Sequence, residues 1–154
     1  MKIRKATIMD IDILTDFWYQ EEKYNKKFVK NPPLKNNAKK LISVYLKKHI
    51  KKNNYIAFIA SDNDKNIGAI HGQILKGYFI YTANKVGHLG TSFVKKEYRR
   101  RGVAKLLHNR LISWFKSKKI DYVDLYVYPK NKITLSTWNK FGFEEIMRNM
   151  NKKI

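Results

Sequence analysis

Cysteine is absent from the 154 residues of the chain, and long apolar runs are absent as well. Without cysteine the protein has no disulfide bonds, no thiolate metal ligands and no cysteine nucleophile, and its redox compartment is left undetermined. No apolar stretch approaches the length of a membrane span. The charged N-terminal residues 1–5 are not followed by the apolar segment of a signal peptide. We therefore expect a soluble, cytoplasmic protein.

Acidic residues are scarce: 12 Asp and Glu stand against 33 Lys and Arg, which gives a net charge of +21. A field of this sign attracts anions such as nucleic acid, an acidic protein surface or a phosphorylated ligand. The excess is mostly lysine, and asparagine and isoleucine are also plentiful, a combination that an AT-rich genome produces without selection for charge. We favour solvated lysines as the interpretation, so a nucleic-acid or acidic partner rests on net charge alone.

Hydrophobic periodicity predicts an α/β chain with a mixed sheet, and the length suits one domain over residues 1–154. Alternating or short buried apolar runs predict strands over residues 2–7, 55–60, 67–75, 87–94 and 122–128, with a last strand ending near residue 150. Apolar residues at helical spacing predict helices after Asp10, over 38–50, from Val103 and over about 132–140. Residues 19–36 lose the pattern and predict a loop or a frayed helix end closed by Asn31-Pro32-Pro33.

A basic turn and a glycine precede the helix that begins at Val103. The N-terminus of a helix leaves backbone N–H groups without partners and carries partial positive charge. Gly102 lets the backbone approach a ligand closely, and the three arginines before it add fixed charge and forked donors. The segment predicts a site for a diphosphate. Taken alone, it is equally well explained as a solvated surface turn.

Several motifs in order resemble those of the GNAT (Gcn5-related N-acetyltransferase) superfamily. Arg99-x-x-Gly102-x-Ala104 resembles its Gln/Arg-x-x-Gly-x-Gly/Ala signature. Asn131 stands where that family places an asparagine after the fifth strand. Other segments look like the family's N-terminus (Ile3 to Thr7 and Asp10-Ile11), its strand-to-helix approach (Ser92 to Arg99) and its C-terminal motif (Thr137 to Glu145).

The resemblance implies the GNAT fold, a mixed central sheet with strands 4 and 5 splayed and flanked by helices. It also implies acetyl transfer from acetyl-CoA to a primary amine by direct attack in a ternary complex. The implied CoA contacts are the backbones of Phe93 and Val94 on pantetheine, Asn131 on pantetheine or at the splay, and Lys140 on a CoA phosphate. The pyrophosphate is assigned, chiefly through main-chain amides, to Arg99, Arg100, Arg101, Gly102, Val103 and Ala104.

The sequence indicates the catalytic acid and base less clearly than the CoA contacts. His88 falls on the fourth strand where some members of the family place a catalytic base, and histidine suits that task near neutral pH. A strand histidine bonded to a backbone carbonyl is the alternative. The family's frequent tyrosine acid is Trp138 here, which cannot transfer a proton. Either another group such as Tyr128 is the acid or the thiolate leaves unassisted, and Trp138 is predicted to be a core aromatic.

The other histidines predict no metal site, because their spacing is not that of metal ligands. We expect His71 to be a satisfied core histidine and His49 and His108 to lie on the surface. The amine acceptor is expected near residues 17–36. A carboxylate pair there suits a cationic amine, although a solvated helix end is favoured; the residues concerned are Trp18, Tyr19, Glu21, Glu22 and Tyr24.

Two alternative functions accompany the acetyltransferase interpretation. A basic nucleic-acid-binding module would need exposed aromatics among the basic residues, whereas Trp114 and Phe115 fall on an apolar helix face. A GNAT domain that binds CoA without catalysis is suggested by Trp138. A homodimer is compatible with the sequence. The acceptor, whether a protein N-terminus, a lysine or a small amino compound, is left open.

Overall fold

The computed structural model describes residues 1–29 and 32–154, and a five-stranded sheet runs through them. The strands are β1 (Lys2–Lys5), β2 (Tyr55–Asp62), β3 (Lys65–Lys76), β4 (Lys85–Val94) and β5 (Val123–Leu125), in that spatial order. The helices are α1 (Ile11–Asn25), α2 (Ala38–His49), α3 (Val103–Ser117) and α4 (Lys132–Lys140). The first four strands pair antiparallel and β5 pairs parallel to β4. None of these described helices is long and apolar enough to span a bilayer.

Apolar residues bury both faces of the sheet. On one face α1 and α2 pack over the strands, and the rings of Phe17 and Phe93 stack with their centroids 5.3 Å apart. On the other face α3 lies against the sheet through Leu107, Leu111 and Phe115, each at most 1% exposed. The apolar faces that predicted α1 and α3 are therefore the faces by which these helices pack against the sheet.

The pairing between β4 and β5 is short. It joins Gly87 to Val123, His88 to Asp124 and Leu89 to Leu125, and β5 ends there. β4 continues to Val94, still paired with β3 but with no strand on its other side among the described residues. The predicted splay of strands 4 and 5 is thus confirmed, and it leaves backbone donors and acceptors of β4 unpaired along a gap.

Most predicted elements are confirmed, but α1 is longer than predicted. It continues to Asn25, so of the two interpretations of residues 19–36, a loop or a frayed helix end, the loop is wrong over residues 19–25. Side-chain hydrogen bonds at i,i+4 hold this polar part of the helix: Trp18 Nε1 donates to Glu22 Oε1 at 3.2 Å, and Gln20 Nε2 donates to Asp16 Oδ2 at 2.6 Å. Asn31 of the predicted closing turn lies outside the described residues.

Two strand predictions are wrong at the C-terminal end. The strand predicted over residues 122–128 is only three residues long, because the chain leaves the sheet after Leu125. Residues 143–150, predicted to end in a last strand, form none. Ile146, Met147 and Met150 there are between 81% and 90% exposed, and the segment pairs with none of the described strands.

An ion pair fixes α1 to β1. Arg4 donates from both terminal nitrogens to Asp10, at 2.8 and 2.7 Å, and the backbone N–H of Thr7 donates to Asp10 at 2.8 Å. Thr7 and Asp10 form a capping box at the short 3₁₀ turn that leads into α1. The hydrogen bonds from Arg4 and Thr7 lower the pKa of Asp10 to about 2.

Asp10→Asn should therefore remove a pH-dependent part of the stability. The folded pKa of Asp10 lies below its unfolded value, so its contribution is full above about pH 4 and is lost as pH falls through about 2. We expect Asp10→Asn to lower the free energy of unfolding by about 2 kcal/mol at neutral pH, and the difference from the parent protein to shrink in acid. Urea titrations at both pH values measure it. Asp64→Asn, at an exposed turn, is the control; an equal, pH-independent loss in both variants contradicts the assignment.

Candidate active site

The gap beside β4 begins at a β-bulge. Ile70 of β3 pairs with Ser92 while Gly72 pairs with Leu89, so His71 alone faces both Gly90 and Thr91. The His71 ring occupies the position that a Cβ at residue 90 would take, which means that only glycine fits there. With the His71 ring on β3, position 90 of β4 therefore requires glycine, and the bulge re-aims the strand at the start of its unpaired edge.

The loop between β4 and α3 presents backbone donors beyond the end of that edge. Arg100 and Gly102 have left-handed φ values of 62° and 80°, and Gly102 is the N-cap of α3. No side chain caps α3, and its first turn contains no acidic residue. Within residues 1–29 and 32–154, no protein acceptor bonds the backbone N–H groups of residues 100–104. A Cβ at Gly102 would meet no atom within 4 Å, so the loop is open to a ligand.

These features suit a diphosphate, whose oxygens would receive the free N–H groups and the positive end of α3. Arg99 is turned back toward the strand, where its Nε donates to the carbonyl oxygen of Val94 at 3.0 Å. Arg100 and Arg101 are exposed. The assignment of residues 99–104 to pyrophosphate stays a prediction.

His88 lies where β4 and β5 are still paired, before the gap opens. Its Nδ1 is 2.6 Å from Oδ1 of Asp124, its register partner on β5, and the side chain is 21% exposed. The expected alternative, a bond to a backbone carbonyl, is not what the structure shows. When Nδ1–H donates to Asp124, Nε2 is left to accept a proton, which is the orientation that a general base needs.

A carboxylate approaches the gap from α1. Glu21 Oε1 accepts a hydrogen bond from the backbone N–H of Ser92 at 3.5 Å. Burial raises the pKa of Glu21 to about 8, and the charge of Glu22 adds to the rise. The preferred interpretation of this segment as a solvated helix end is therefore wrong for Glu21, which α1 turns toward the sheet.

Tyr128, from the segment after β5, lies near enough to Glu22 and Glu21 for their charges to affect its pKa. Burial raises its pKa above the usual range of a phenol, and the charges of Glu22 and Glu21 raise it further. The phenol accordingly keeps its proton at neutral pH and is available as a donor.

The remaining predicted residues lie on α4 or at its N-cap. Asn131 is 3% exposed and caps α4, with its Oδ1 accepting from the backbone N–H of Thr134 at 3.2 Å. Lys140 is exposed at the other end of α4, about 14 Å along the helix from Asn131. Trp138 is a core aromatic as predicted, 7% exposed against Phe141.

Two histidine predictions need correction. His108, predicted on the surface, is 8% exposed and stacks on Phe141 with the ring centroids 4.7 Å apart. His71 is a core histidine, but its two ring nitrogens have no hydrogen-bond partner among the described residues. Burial lowers the pKa of His71 to about 3, so the ring stays neutral at physiological pH. No group of three His, Asp or Glu side chains suited to a metal occurs in the described part of the chain.

A family model described as the acetyltransferase (GNAT) family matches residues 14–143. The chain belongs to this family. No curated protein matches it. The fold is similar to that of several solved structures. The tetramutant of the BH1408 protein from Bacillus halodurans is 18% identical, with a TM-score of 0.86 and 100% of both chains covered. A predicted acetyltransferase with acetyl-CoA from Clostridium acetobutylicum is 18% identical, with a TM-score of 0.81 and coverage of 99% of this chain and 95% of that one. The aminoglycoside 6'-N-acetyltransferase AAC(6')-IG from Acinetobacter haemolyticus is 20% identical, with a TM-score of 0.75 and coverage of 100% of this chain and 99% of that one.

The left-handed residues of the loop can be tested through stability. A side chain at a left-handed position costs about 1–2 kcal/mol, which glycine avoids. Gly102→Ala should therefore lower the free energy of unfolding by that amount, although its Cβ meets no neighbour. Arg100→Gly should raise it by about 1 kcal/mol because it relieves the same kind of strain. Chemical denaturation measures both, and shifts of the same sign in the two variants contradict the loop geometry.

Proposed function

We propose that the chain transfers an acetyl group from acetyl-CoA to a primary amine by direct attack in a ternary complex. The observation that carries this proposal is the unpaired edge of β4 leading directly into a loop with free N–H groups. Membership of the acetyltransferase family supports it. So do the acetyl-CoA in the Clostridium acetobutylicum structure and the aminoglycoside acetylation named for the Acinetobacter haemolyticus enzyme.

The donor is assigned to the gap and the loop. The pantetheine arm pairs with the backbones of Phe93 and Val94, and the pyrophosphate binds the amides of residues 99–104. Since Arg99 already donates to the Val94 carbonyl, pantetheine has to share or replace that bond. Asn131 offers its side-chain N–H₂ to pantetheine while its oxygen caps α4. Lys140, at the far end of α4, is assigned to a CoA phosphate.

Three proton and charge movements complete the reaction. His88, oriented by Asp124, accepts a proton from the acceptor's ammonium group, directly or through water. The neutral amine attacks the thioester carbon, a β4 N–H stabilises the oxyanion, the C–N bond forms and the C–S bond breaks. Tyr128 donates its proton to the departing thiolate and regains one as the new amide forms. One proton is released to solvent for each ammonium that is acetylated.

A CoA-binding domain without catalysis is the second candidate. It is favoured by Trp138, which replaces the family's usual tyrosine and is buried in the core against α3 rather than in the gap. Tyr128 is the only phenol that we assign to the thiolate, so the choice between enzyme and binder depends on whether it acts.

Acetyl-CoA should raise the melting temperature of the protein, and duplex DNA should not do so to the same extent. Gly102→Asp should abolish the CoA effect, because it places an anion where the pyrophosphate binds. Gly142→Asp is the matched control: Gly142 also has a left-handed φ, of 89°, and an open environment. No stabilisation by acetyl-CoA, or equal loss in both variants, counts against the donor site. Thiol release with a panel of amines then separates an enzyme from a binder.

His88→Ala should lower kcat more than it raises KM, and it should remove the limb of the pH profile in which activity rises with pH. Asp124→Asn should lower kcat less, because His88 loses its orientation but not its ring. Steady-state rates across pH measure both effects. His49→Ala, a histidine bonded to the Tyr45 carbonyl on α2, is the control. A pH profile that is unchanged in His88→Ala excludes His88 as the base.

A further inference from the structure

An apolar hairpin tip, formed by residues 77–84 between β3 and β4, projects from one end of the sheet. Four consecutive side chains in it are between 60% and 81% exposed; they are Tyr78, Phe79, Ile80 and Tyr81. Single exposed apolar residues are normal on a protein surface, whereas a contiguous apolar patch marks a surface that binds a partner or a membrane. The hairpin tip is therefore a candidate interaction surface.

The hairpin tip stands clear of the neighbouring strands. β2 pairs with β3 no further than Gln73, whereas β3 and β4 stay paired as far as Lys76 and Lys85. The extra positions, at about 3.3 Å each, place the hairpin tip roughly 10 Å beyond the start of β2. The Tyr78 ring lies 5.0 Å from that of Phe79 and 5.8 Å from that of Tyr81, so the apolar side chains form one cluster. The result is a convex apolar protrusion without a groove of its own.

Lysines surround the base of this protrusion. α2 and α3 both end at the same end of the sheet, and the segments that follow them lead into β2 and β5. Six exposed lysines lie in these segments and at the end of the hairpin; they are Lys51, Lys52, Lys76, Lys85, Lys118 and Lys119. None of the six forms an ion pair within the described residues.

The positive charge at this end of the sheet is barely offset. Asp121 is the only acidic residue within 51–54, 76–85 and 118–122, and residues 65–96 contain none. Lys51, Lys52 and Lys118 also line one surface groove, so lysines from different segments lie side by side. The local field therefore has the sign of the whole protein, whose net charge is +21.

An apolar, aromatic protrusion with lysines around its base matches the headgroup region of a bilayer. Tyrosine and other aromatic side chains are favoured at the level of the headgroups, and apolar side chains gain free energy by entering the acyl boundary. Clustered lysines near the surface attract anionic lipids. We propose that this end of the protein docks on membranes that contain anionic phospholipids, with the hairpin tip inserted among the headgroups.

Two other occupants fit the surface less well. A second copy of the chain would bring two molecules of charge +21 together. A single-stranded nucleic acid matches the charge, but it needs a basic groove in which the bases stack on free ring faces. Here the rings of the hairpin tip lie against one another on a protrusion, with Ile80 among them. Membrane docking goes beyond acetyl transfer and does not depend on it.

Sedimentation with vesicles tests the charge requirement. The parent protein should sediment with vesicles of phosphatidylcholine and phosphatidylserine in a two-to-one ratio, and much less with phosphatidylcholine alone. Lys76→Gln combined with Lys85→Gln should lower the partition coefficient by about tenfold. Lys152→Gln combined with Lys153→Gln removes the same charge from the exposed C-terminus and should have a smaller effect. Equal binding to both kinds of vesicle, or no binding to either, overturns the inference.

The hairpin tip needs a test of its own, because a highly cationic protein adsorbs to anionic surfaces without inserting anything. Phe79→Ser combined with Ile80→Ser keeps the charge and should lower the partition coefficient by about tenfold or more. Ile146→Ser combined with Met147→Ser is the matched control, since these side chains are 86% and 81% exposed, and it should leave the partition coefficient unchanged. Equal partitioning of the two double variants means adsorption by net charge alone and overturns the inference.

Two further measurements complete the experiment. Phe79→Trp should show a vesicle-dependent shift of emission to shorter wavelength that the parent protein lacks, and an unshifted emission contradicts insertion. Binding of a single-stranded oligothymidylate that is lost in the Phe79→Ser, Ile80→Ser variant, while vesicle binding is kept, assigns the hairpin tip to nucleic acid and overturns the inference. The melting temperature of each variant, with and without acetyl-CoA, shows that the fold and the donor site are intact.

Discussion

The end of β4–β5 pairing after Leu89 and Leu125 is the constraint on which the site depends. An extended strand with one bare edge carries polar groups that must be satisfied by something other than a neighbouring strand. The fold meets this need from its own side chains at two points, with Glu21 approaching the Ser92 nitrogen and Arg99 bonding the Val94 carbonyl. Both contacts are side-chain substitutes for a strand, and a ligand with amide groups of its own can replace them.

The sequence predicted those parts of the fold that depend on burial. Apolar spacing located α2 and α3, and Gly102 marked the start of α3, because these signals are local. Prediction from the sequence failed where side-chain hydrogen bonds or the presence of a partner strand determines the secondary structure. Residues 19–25 are helical without an apolar stripe, since Trp18 and Glu22 bond along the helix. The strand predicted to end near residue 150 does not form, because residues 143–150 have no strand to pair with among the described residues.

The candidate site likewise contains features that the sequence predicts locally and contacts between distant residues that it does not. The loop from Arg99 to Ala104 is continuous in sequence, so its composition alone indicated an anion site. Asp124 gave no signal, because its contact with His88 spans 36 residues and depends on the register of a parallel pair. Glu21 and Ser92 are 71 residues apart. Their proximity follows from the length of α1 and from the bulge at Gly90, neither of which composition reveals.

The fit between His71 and Gly90 limits how this protein can change over evolutionary time. A side chain at position 90 collides with the imidazole, while a smaller residue at position 71 would meet no such barrier. Substitutions at the two positions therefore have a preferred order: residue 71 must shrink before residue 90 can grow. Lineages that retain the histidine are held to glycine on β4, and with it to the bulge that opens the gap.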